Sequence, residues 1–191
     1  MKASPSERLP TTESVWALLE AVTDPEIPVV NLREMGILRN VEETATGFDI
    51  TLTPTYSGCP AMDQMVDDVQ AALHAAGLTA QVNIQLAPAW TTDWMSPTAL
   101  VKLREYGIAP PHPRPVTSNN STTSNAPLGG SPSLQKVTFS WLRNLTASDP
   151  IACPQCGSLD TTEISHFGST ACKALYRCLG CLEPFDYFKP Y

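Results

Sequence analysis

One continuous stretch of the chain decides the fold. Its apolar residues follow the two-residue period of a strand at both ends and the 3.6-residue period of a helix in between. Residues 48–86 read FDITLTPTYSGCPAMDQMVDDVQAALHAAGLTAQVNIQL. Apolar residues alternate with polar ones at the start and at the end of this stretch, which predicts two strands. After Pro60 they recur every three to four residues, which predicts a helix that ends before Gly77. The stretch is therefore strand, loop, helix and strand.

The flanking sequence adds three elements. A helix is predicted from Thr12 to the Asp24-Pro25 pair, because the residue before a proline disfavours helical geometry. Residues 36–41 are typical of a strand that forms a hairpin with the next one. A last helix is predicted between Ser96 as its N-cap and Gly107 after its end. This order indicates the α+β class, with a small mixed sheet and packed helices.

Composition divides the chain into three parts. Residues 108–136 are rich in Pro, Ser, Thr and Asn and lack apolar periodicity, so we interpret them as a flexible linker. Residues 1–107 then form the α+β domain. Residues 137–191 form a second domain, too short for a robust core without a staple.

Charge and hydropathy exclude several partners. The formal net charge is −7, so the surface repels a phosphate backbone and nucleic acid is not expected as a partner. No apolar run is long enough to span a bilayer, and the first residues lack the apolar core of a signal peptide. We expect a cytoplasmic protein, in which paired cysteines more often bind metal than form disulfides.

The C-terminal domain contains two C-x-x-C pairs, which are Cys153 with Cys156 and Cys178 with Cys181. Two such pairs joined by a hairpin place four thiolates around one point, as in a zinc-ribbon-like domain. Zinc that only stabilises the domain is the favoured interpretation. Four sulfur ligands would also suit iron or an iron–sulfur cluster, and the spacing leaves these alternatives open.

Two further residues near these pairs could be ligands. Cys172 lies six residues before Cys178. It could replace one of the four cysteines, serve as an additional ligand, or be a free thiol. His166 is also a candidate, although its surroundings favour a polar strand residue.

Cys59 stands alone at the end of a strand and just before a predicted helix. The amide groups at a helix start favour an anion, so a lowered pKa and a reactive, metal-binding thiolate are expected there. The alternative is a buried, small apolar residue. Asp24 and Glu26 are interpreted as turn and surface carboxylates. No complete catalytic motif is present, and we expect a protein that is not an enzyme.

The loops resemble a known family. The segments Asp24–Pro28 and Pro54–Pro60 are similar to the iron–sulfur assembly family called domain of unknown function 59, which includes SufT-like proteins. The tail, from Cys153 to Ser158, Phe167 to Cys178 and Glu183 to Phe185, resembles the PaaD (PaaJ) family of phenylacetyl-CoA epoxidase systems. The resemblance implies an accessory role in phenylacetate catabolism, in which Cys59 relays iron or a transient iron–sulfur cluster and the two C-x-x-C pairs bind metal.

Three functions compete. In the favoured one, the protein matures a metal centre of the epoxidase system, with the hydroxylase or the reductase as partner. In the second, it is a stoichiometric component that couples the other parts of the oxygenase. A thiol oxidoreductase is the third, disfavoured because no C-x-x-C pair begins a helix of a redox fold. A homo-oligomer is possible.

Overall fold

The computed structural model describes residues 10–112 and 150–191. Most of the predicted linker and the start of the predicted second domain lie outside these residues. The elements, in chain order, are α1 (Thr12–Leu19), β1 (Leu38–Thr44), β2 (Gly47–Leu52), α2 (Met62–Ala75), β3 (Ala80–Ile84), a short 3-10 helix (Thr92–Trp94), α3 (Pro97–Tyr106), β4 (Ile108–Ala109), β5 (Thr161–Ser165), β6 (Lys173–Cys178) and β7 (Pro184–Phe188).

The first sheet has the strand order β1–β2–β3. β1 and β2 pair antiparallel up to Thr44, which lies opposite Gly47. β2 and β3 pair parallel, and α2 supplies the crossover that parallel strands need. Phe48, Ile50 and Leu52 are all buried, so one face of β2 points into the core. The predicted hairpin and the strand–helix–strand unit are confirmed.

α2 packs through Met62, Met65, Val69 and Leu73, which are its buried residues. Val66 is the other apolar residue that could occupy this stripe in place of Met65. Both residues fit the spacing, since each lies three or four positions from Met62 and Val69. Met65, which has the longer side chain, is buried in the core. Val66 is half-buried at the edge of the stripe.

α3 has the predicted caps. The Ser96 hydroxyl accepts a hydrogen bond from the Ala99 amide at 3.0 Å, and Pro97 occupies the first turn. Gly107 ends the helix in the left-handed conformation with φ of 94°. None of the helices in the described ranges is long and apolar enough to cross a membrane.

The second sheet has the strand order β4–β7–β6–β5. Its outer strand β4 directly follows α3, and it pairs parallel with β7 from the C-terminus. Ile108 and Ala109 were assigned above to the linker. They form β4 because both are apolar and bury their side chains, with exposed fractions of 4% and 2%. The N-terminal part of the chain, which forms the α+β domain, therefore also contributes a strand to the C-terminal sheet.

The two sheets also share a core. The larger apolar cluster includes Cys172 and Phe188 from the C-terminal sheet together with residues of the first sheet and its helices. The ring of Trp90 lies 6.0 Å from that of Phe188 and 6.2 Å from that of Tyr191. The Thr92 amide donates to the Tyr191 carbonyl at 3.3 Å. The C-terminal end of the chain is thus part of the interface between the sheets.

Candidate functional site

Two turns at one end of the second sheet bring four cysteine side chains together. Cys153 and Cys156 precede β5, Cys178 ends β6 and Cys181 lies on the turn to β7. All four Sγ atoms lie within 4.8 Å of one another. The separation is 3.8 Å between the Sγ atoms of Cys153 and Cys181, and 3.6 Å between those of Cys156 and Cys178. We call these residues the four-cysteine group.

These distances fit one tetrahedral metal ion. Sulfur ligands at about 2.3 Å from a tetrahedral ion lie about 3.8 Å from one another. In an iron–sulfur cluster the four thiolates are divided between two or four irons, so sulfurs on different irons lie further apart. The four-cysteine group is therefore a metal-binding site whose spacing suits a single ion.

Backbone amides prepare this group for metal. The Gly157 amide donates to the Cys153 carbonyl at 2.9 Å, and Gly157 adopts φ of 75°, which a glycine tolerates without strain. The Cys181 amide donates to Cys178 Sγ at 3.4 Å. This hydrogen bond has the largest effect among several, including one from the Gly180 amide, that lower the pKa of Cys178 to about 6. Burial and hydrogen bonds with the other three thiols raise the pKa of Cys181, so Cys178 loses its proton before Cys181 does.

The other two candidate ligands lie elsewhere. Within the described residues, the four-cysteine group includes neither Cys172 nor His166. Cys172 precedes β6 and Cys178 ends it, so six extended residues, or about 20 Å, separate the two thiols. His166 is exposed and pairs with Glu163, with 3.5 Å between Nδ1 and Oε1. Strand geometry is the physical reason that Cys172 is not an additional ligand of this group.

Cys59 lies in the loop between β2 and α2, and it is half-buried. The sequence predicted a lowered pKa for this thiol, and that prediction is wrong. Burial raises the pKa of Cys59, and the charges of Glu26 and Asp24 raise it further. The amides of Ala61 and Met62, at the start of α2, act in the expected direction but do not outweigh these effects. Cys59 is therefore a protonated thiol at rest.

The loop before β1 places two carboxylates beside this thiol. The Asp24 side chain accepts hydrogen bonds from the amides of Glu26 at 2.7 Å and Ile27 at 3.0 Å. Asp24 is therefore the turn carboxylate that the sequence predicted, but it is only 5% exposed and does not lie at the surface. The chain folds back on itself here, which buries the carboxylate and raises its pKa. Burial also raises the pKa of Glu26, as does the neighbouring Asp24.

Cys172 reaches the same region from the second sheet. It is 5% exposed, and its Sγ lies 3.0 Å from the Thr170 hydroxyl. Thr170 also lowers the pKa of Glu26, against the larger effect of burial. Burial raises the pKa of Cys172, and Glu26 and Asp24 contribute in the same direction. The two carboxylates that act on Cys59 therefore act on Cys172 as well.

A pocket of about 430 Å³ opens beside these residues. Its walls come from the loop after β2, from residues 86–90 and from the C-terminus, and they include Tyr56 and Tyr191. The Tyr191 hydroxyl donates to the Ala171 carbonyl at 3.3 Å, next to Cys172. Sequence reasoning missed this convergence because it joins residues more than one hundred positions apart. The sequence contains one sign of this convergence. Cys172 lies at the opposite end of β6 from Cys178, and therefore away from the four-cysteine group.

Comparison with known proteins gives two family matches and one relative of similar length. Residues 12–86 match the family described as iron-sulfur cluster assembly protein, and residues 142–189 match the PaaD zinc beta ribbon domain. A protein of Escherichia coli K12, provisionally named as one of the subunits of 1,2-phenylacetyl-CoA epoxidase, is 45% identical over 94% of this chain and 93% of its own.

Shorter relatives cover the N-terminal half. A protein of Porphyromonas gingivalis named Fe-S protein maturation auxiliary factor is 38% identical over 51% of this chain and 95% of its own. A crystal structure of a domain of unknown function 59 from Bacillus anthracis is 32% identical over 48% of this chain and 90% of its own, with a TM-score of 0.45. The long match to the E. coli protein and the match to the ribbon family together show that this chain belongs to the PaaD family.

Proposed function

We propose that this chain is a maturation factor that receives iron or an iron–sulfur cluster at Cys59 and passes it to a component of a phenylacetyl-CoA epoxidase system. Cys59 carries the proposal. It is a half-buried thiol beside two carboxylates, and it lies within the part of the chain that matches iron–sulfur assembly proteins. The names of the relatives supply the client system and the class of cargo.

The environment of Cys59 suits a carrier. Metal binds the thiolate, so a thiol with a raised pKa must lose a proton when cargo arrives and regains it when cargo leaves. The carboxylates of Asp24 and Glu26 attract a cation to the loop. A thiol that holds its proton at neutral pH binds metal less tightly, which favours release to a client.

The four-cysteine group has a different proposed role. We propose that it holds a resident zinc ion, which stabilises the second sheet and leaves that sheet to contact the client. The spacing of the four sulfurs supports a single closed ion, and residues 142–189 match a zinc-ribbon family. Zinc in such a site contributes folding energy.

The decisive experiment compares epoxidase components made in cells with wild-type protein and with Cys59→Ala. Hydroxylase and reductase are purified without oxygen, and their iron and acid-labile sulfide are measured. We expect one component to lack metal in Cys59→Ala cells. Fully loaded components from normal cells should then turn over phenylacetyl-CoA without this chain.

The name of the E. coli relative, as part of the epoxidase, gives the competing function, a stoichiometric member of the oxygenase. A reconstituted reaction that required one copy of this chain per oxygenase would establish that function instead. Fully metallated components from Cys59→Ala cells would also contradict the maturation proposal.

A further inference from the structure

The two turns that carry the four cysteines also expose three leucines. The exposed fractions of Leu159, Leu179 and Leu182 are 57%, 48% and 60%. Leu159 lies just after the first C-x-x-C pair, Leu179 lies within the second pair and Leu182 directly follows it. One exposed leucine needs no explanation, but three from adjacent turns form an apolar surface. We call these three residues the leucine patch.

Contacts between the two turns hold the leucine patch together. The Leu179 amide donates to the Asp160 carbonyl at 2.8 Å, so Leu179 lies beside the turn that carries Leu159. A Cβ added to Gly180 would lie 3.2 Å from Ser158 Oγ, because the second turn approaches the first closely. The leucines therefore lie at the same end of the second sheet as the four-cysteine group.

Leu182 has a backbone conformation that is unfavourable for a leucine. Its φ is 67°, in the left-handed region that glycine and asparagine adopt more readily. Among the described residues, it is the only one other than glycine with a positive φ. Its side chain is mostly exposed, so packing within this chain does little to offset the strain. Strained residues cluster at functional sites, and here the exposed group is an apolar side chain that a partner can bury.

The border of the leucine patch has an excess of negative charge. Asp160 follows Leu159 in the chain, Glu183 follows Leu182, and both acidic residues are exposed. Arg177 supplies one cation, and its Nε donates to the Leu182 carbonyl at 3.4 Å. The chain as a whole has a formal net charge of −7. A second copy would present the same negative excess, so the charges favour a different partner, whose apolar recess has a basic rim.

The relatives connect the second sheet with one kind of partner. Two proteins named Fe-S protein maturation auxiliary factor, from P. gingivalis and Bacillus subtilis, match 51% and 48% of this chain over 95% and 91% of their own. The E. coli protein provisionally named as an epoxidase subunit matches 94% of this chain. The iron-sulfur cluster assembly match ends at residue 86, before the second sheet begins. The second sheet is therefore shared with the epoxidase-named relative and lies beyond the part that resembles the shorter maturation factors.

We infer that the leucine patch docks this chain on its client in the epoxidase system, and that the client surface is an apolar recess with a basic rim. This inference rests on the proposed function and gives it a contact surface. The four-cysteine group positions the leucines, since it joins the two turns on which they lie. Because Phe188 of the second sheet packs in the core of the first, docking also fixes the loop of Cys59 relative to the client.

The test measures binding of the full, zinc-loaded chain to purified hydroxylase and to purified reductase, both made in cells without this chain. Leu159→Ala and Leu179→Ala shorten one side chain each. Leu182→Asn replaces the apolar group by a residue that adopts the left-handed conformation readily. Phe167→Ala is the matched control, because Phe167 is 65% exposed and lies beyond the opposite end of β5. Zinc content and thermal unfolding show whether each variant is folded.

We expect wild type and Phe167→Ala to bind one of the two components with the same affinity. Loss of a leucine side chain that is buried on binding should weaken the affinity by about tenfold or more in each leucine variant. Leu182→Asn should unfold at the same temperature as wild type or higher, because its backbone is less strained. Weaker binding by a chain that is at least as stable identifies a docking role, since loss of a purely structural residue would lower stability.

The charges at the border have a separate readout. Asp160→Lys combined with Glu183→Lys should slow association with the client, and the difference from wild type should shrink as salt is added. Faster association of this double variant would mean that the client surface is acidic, and the basic rim would be rejected.

Several results would reject the leucine patch and leave the proposed function to its own test. These are unchanged binding in the leucine variants, an equal loss in Phe167→Ala, and failure of wild type to bind either component. Self-association of wild type that the leucine variants abolish would also reject it, because a second copy would then cover the patch. In each case the metal content of components from Cys59→Ala cells still decides the maturation role. If those components were fully metallated while the leucine variants failed to bind, the docking surface would stand and the maturation role would fall.

Discussion

The thiol of Cys59 is governed by its burial more than by the helix that follows it. Because burial, Glu26 and Asp24 raise its pKa, we expect Cys59 to be alkylated slowly at neutral pH. The rate should increase with pH and inflect above about 8.5, the ordinary pKa of a cysteine. The measurement is iodoacetamide labelling followed by mass spectrometry, in the zinc-loaded Cys172→Ser protein.

Glu26→Gln is the matched variant for this measurement. It removes a charge that raises the pKa of Cys59 and keeps the shape of the side chain. The inflection should therefore move to lower pH. An inflection below about 8.5 in the parent protein would show that the helix start dominates after all.

Two substitutions of Asp24 separate the effect of its buried charge on stability from that of its buried hydrogen bonds. Asp24→Asn keeps an oxygen that can accept from the Glu26 and Ile27 amides, so its stability should stay within about 1 kcal/mol of wild type. Asp24→Ala leaves both amides without this acceptor and should lose roughly 1–3 kcal/mol. Urea unfolding at neutral pH measures both free energies.

The same variants have a defined pH dependence. The pKa of Asp24 is raised on folding, so the folded state holds this proton more strongly than the unfolded state does. The contribution of Asp24 is therefore most favourable in acid and declines as pH rises above about 4. The Asp24→Asn protein lacks this decline. Its free energy of unfolding should therefore increase relative to that of wild type over that pH range. Equal losses in the Asn and Ala variants would contradict this account.

Sequence reasoning found part of the site at the scale of residues. The spacing of the two C-x-x-C pairs predicted the four cysteines that the structure brings together, because a short motif carries its own geometry. Cys172 could not be placed, since its neighbours come from a different sheet. The pKa of Cys59 was predicted in the wrong direction because burial by distant residues leaves no local signal.

Among the elements, the turn before β1 depends on Gly36. Gly36 has φ of 69°, and a Cβ added there would lie 2.6 Å from the Trp94 carbonyl oxygen. Gly77, after α2, has φ of 72° but nothing within 4 Å of an added Cβ. Both Gly→Ala variants should lose about 1–2 kcal/mol for the left-handed conformation. Gly36→Ala should lose at least about 1 kcal/mol more, because the backbone of Trp94 must move.

Chemical denaturation of the two alanine variants measures this difference. Gly77→Ala serves as the control, since it shares the backbone conformation and lacks the contact. Similar losses in the two variants would mean that the 3-10 helix at Trp94 shifts at little cost. The close approach of that helix to the β1 turn would then not be important for the fold.

Metal removal should affect one end of the second sheet first. The four-cysteine group joins the turn before β5 to the turn after β6, whereas the other end of β6 packs in the larger core. We expect a chelator, or Cys153→Ser, to speed amide exchange at residues 153–161 and 178–181. Amides of β1, β2 and β3 should keep their protection.

Hydrogen exchange with mass spectrometry checks this prediction on the full chain, before and after zinc is restored. Recovery of slow exchange on adding zinc is the control for irreversible damage. Unchanged exchange around the four cysteines after metal loss would contradict the idea that metal stabilises this end of the sheet.

Most elements of the fold followed from hydrophobic period and from capping residues. The hairpin, α2 and α3 were predicted because their signals are local. β4 was not, because two apolar residues after Gly107 form a strand only when β7 is present to pair with them. The choice of Met65 over Val66 in α2 likewise depends on the shape of the core.

At the scale of the whole molecule, the contact between the sheets rests on Phe188. It is 1% exposed, and its ring lies 6.0 Å from that of Trp90. Phe188→Ala should lower the free energy of unfolding of the zinc-loaded protein by about 3–5 kcal/mol. Since the sheets share this core, the loss should affect one common unfolding transition.

Phe167→Ala is the matched control, because Phe167 belongs to the same C-terminal region and is 65% exposed. It should change stability by less than about 0.5 kcal/mol. Urea unfolding followed by tryptophan fluorescence reports on the four tryptophans, of which Trp90 contacts Phe188, and circular dichroism reports on both sheets. A Phe188→Ala protein as stable as Phe167→Ala would show that the two sheets unfold independently.

The strand β4 makes the second sheet depend on both parts of the chain. Ala109 of β4 and Ile151 before β5 belong to the same small apolar cluster, so the chain leaves the second sheet and comes back to it. A C-terminal fragment that begins after residue 112 would therefore lack the outer strand of its own sheet, because β4 stays with the N-terminal part of the chain.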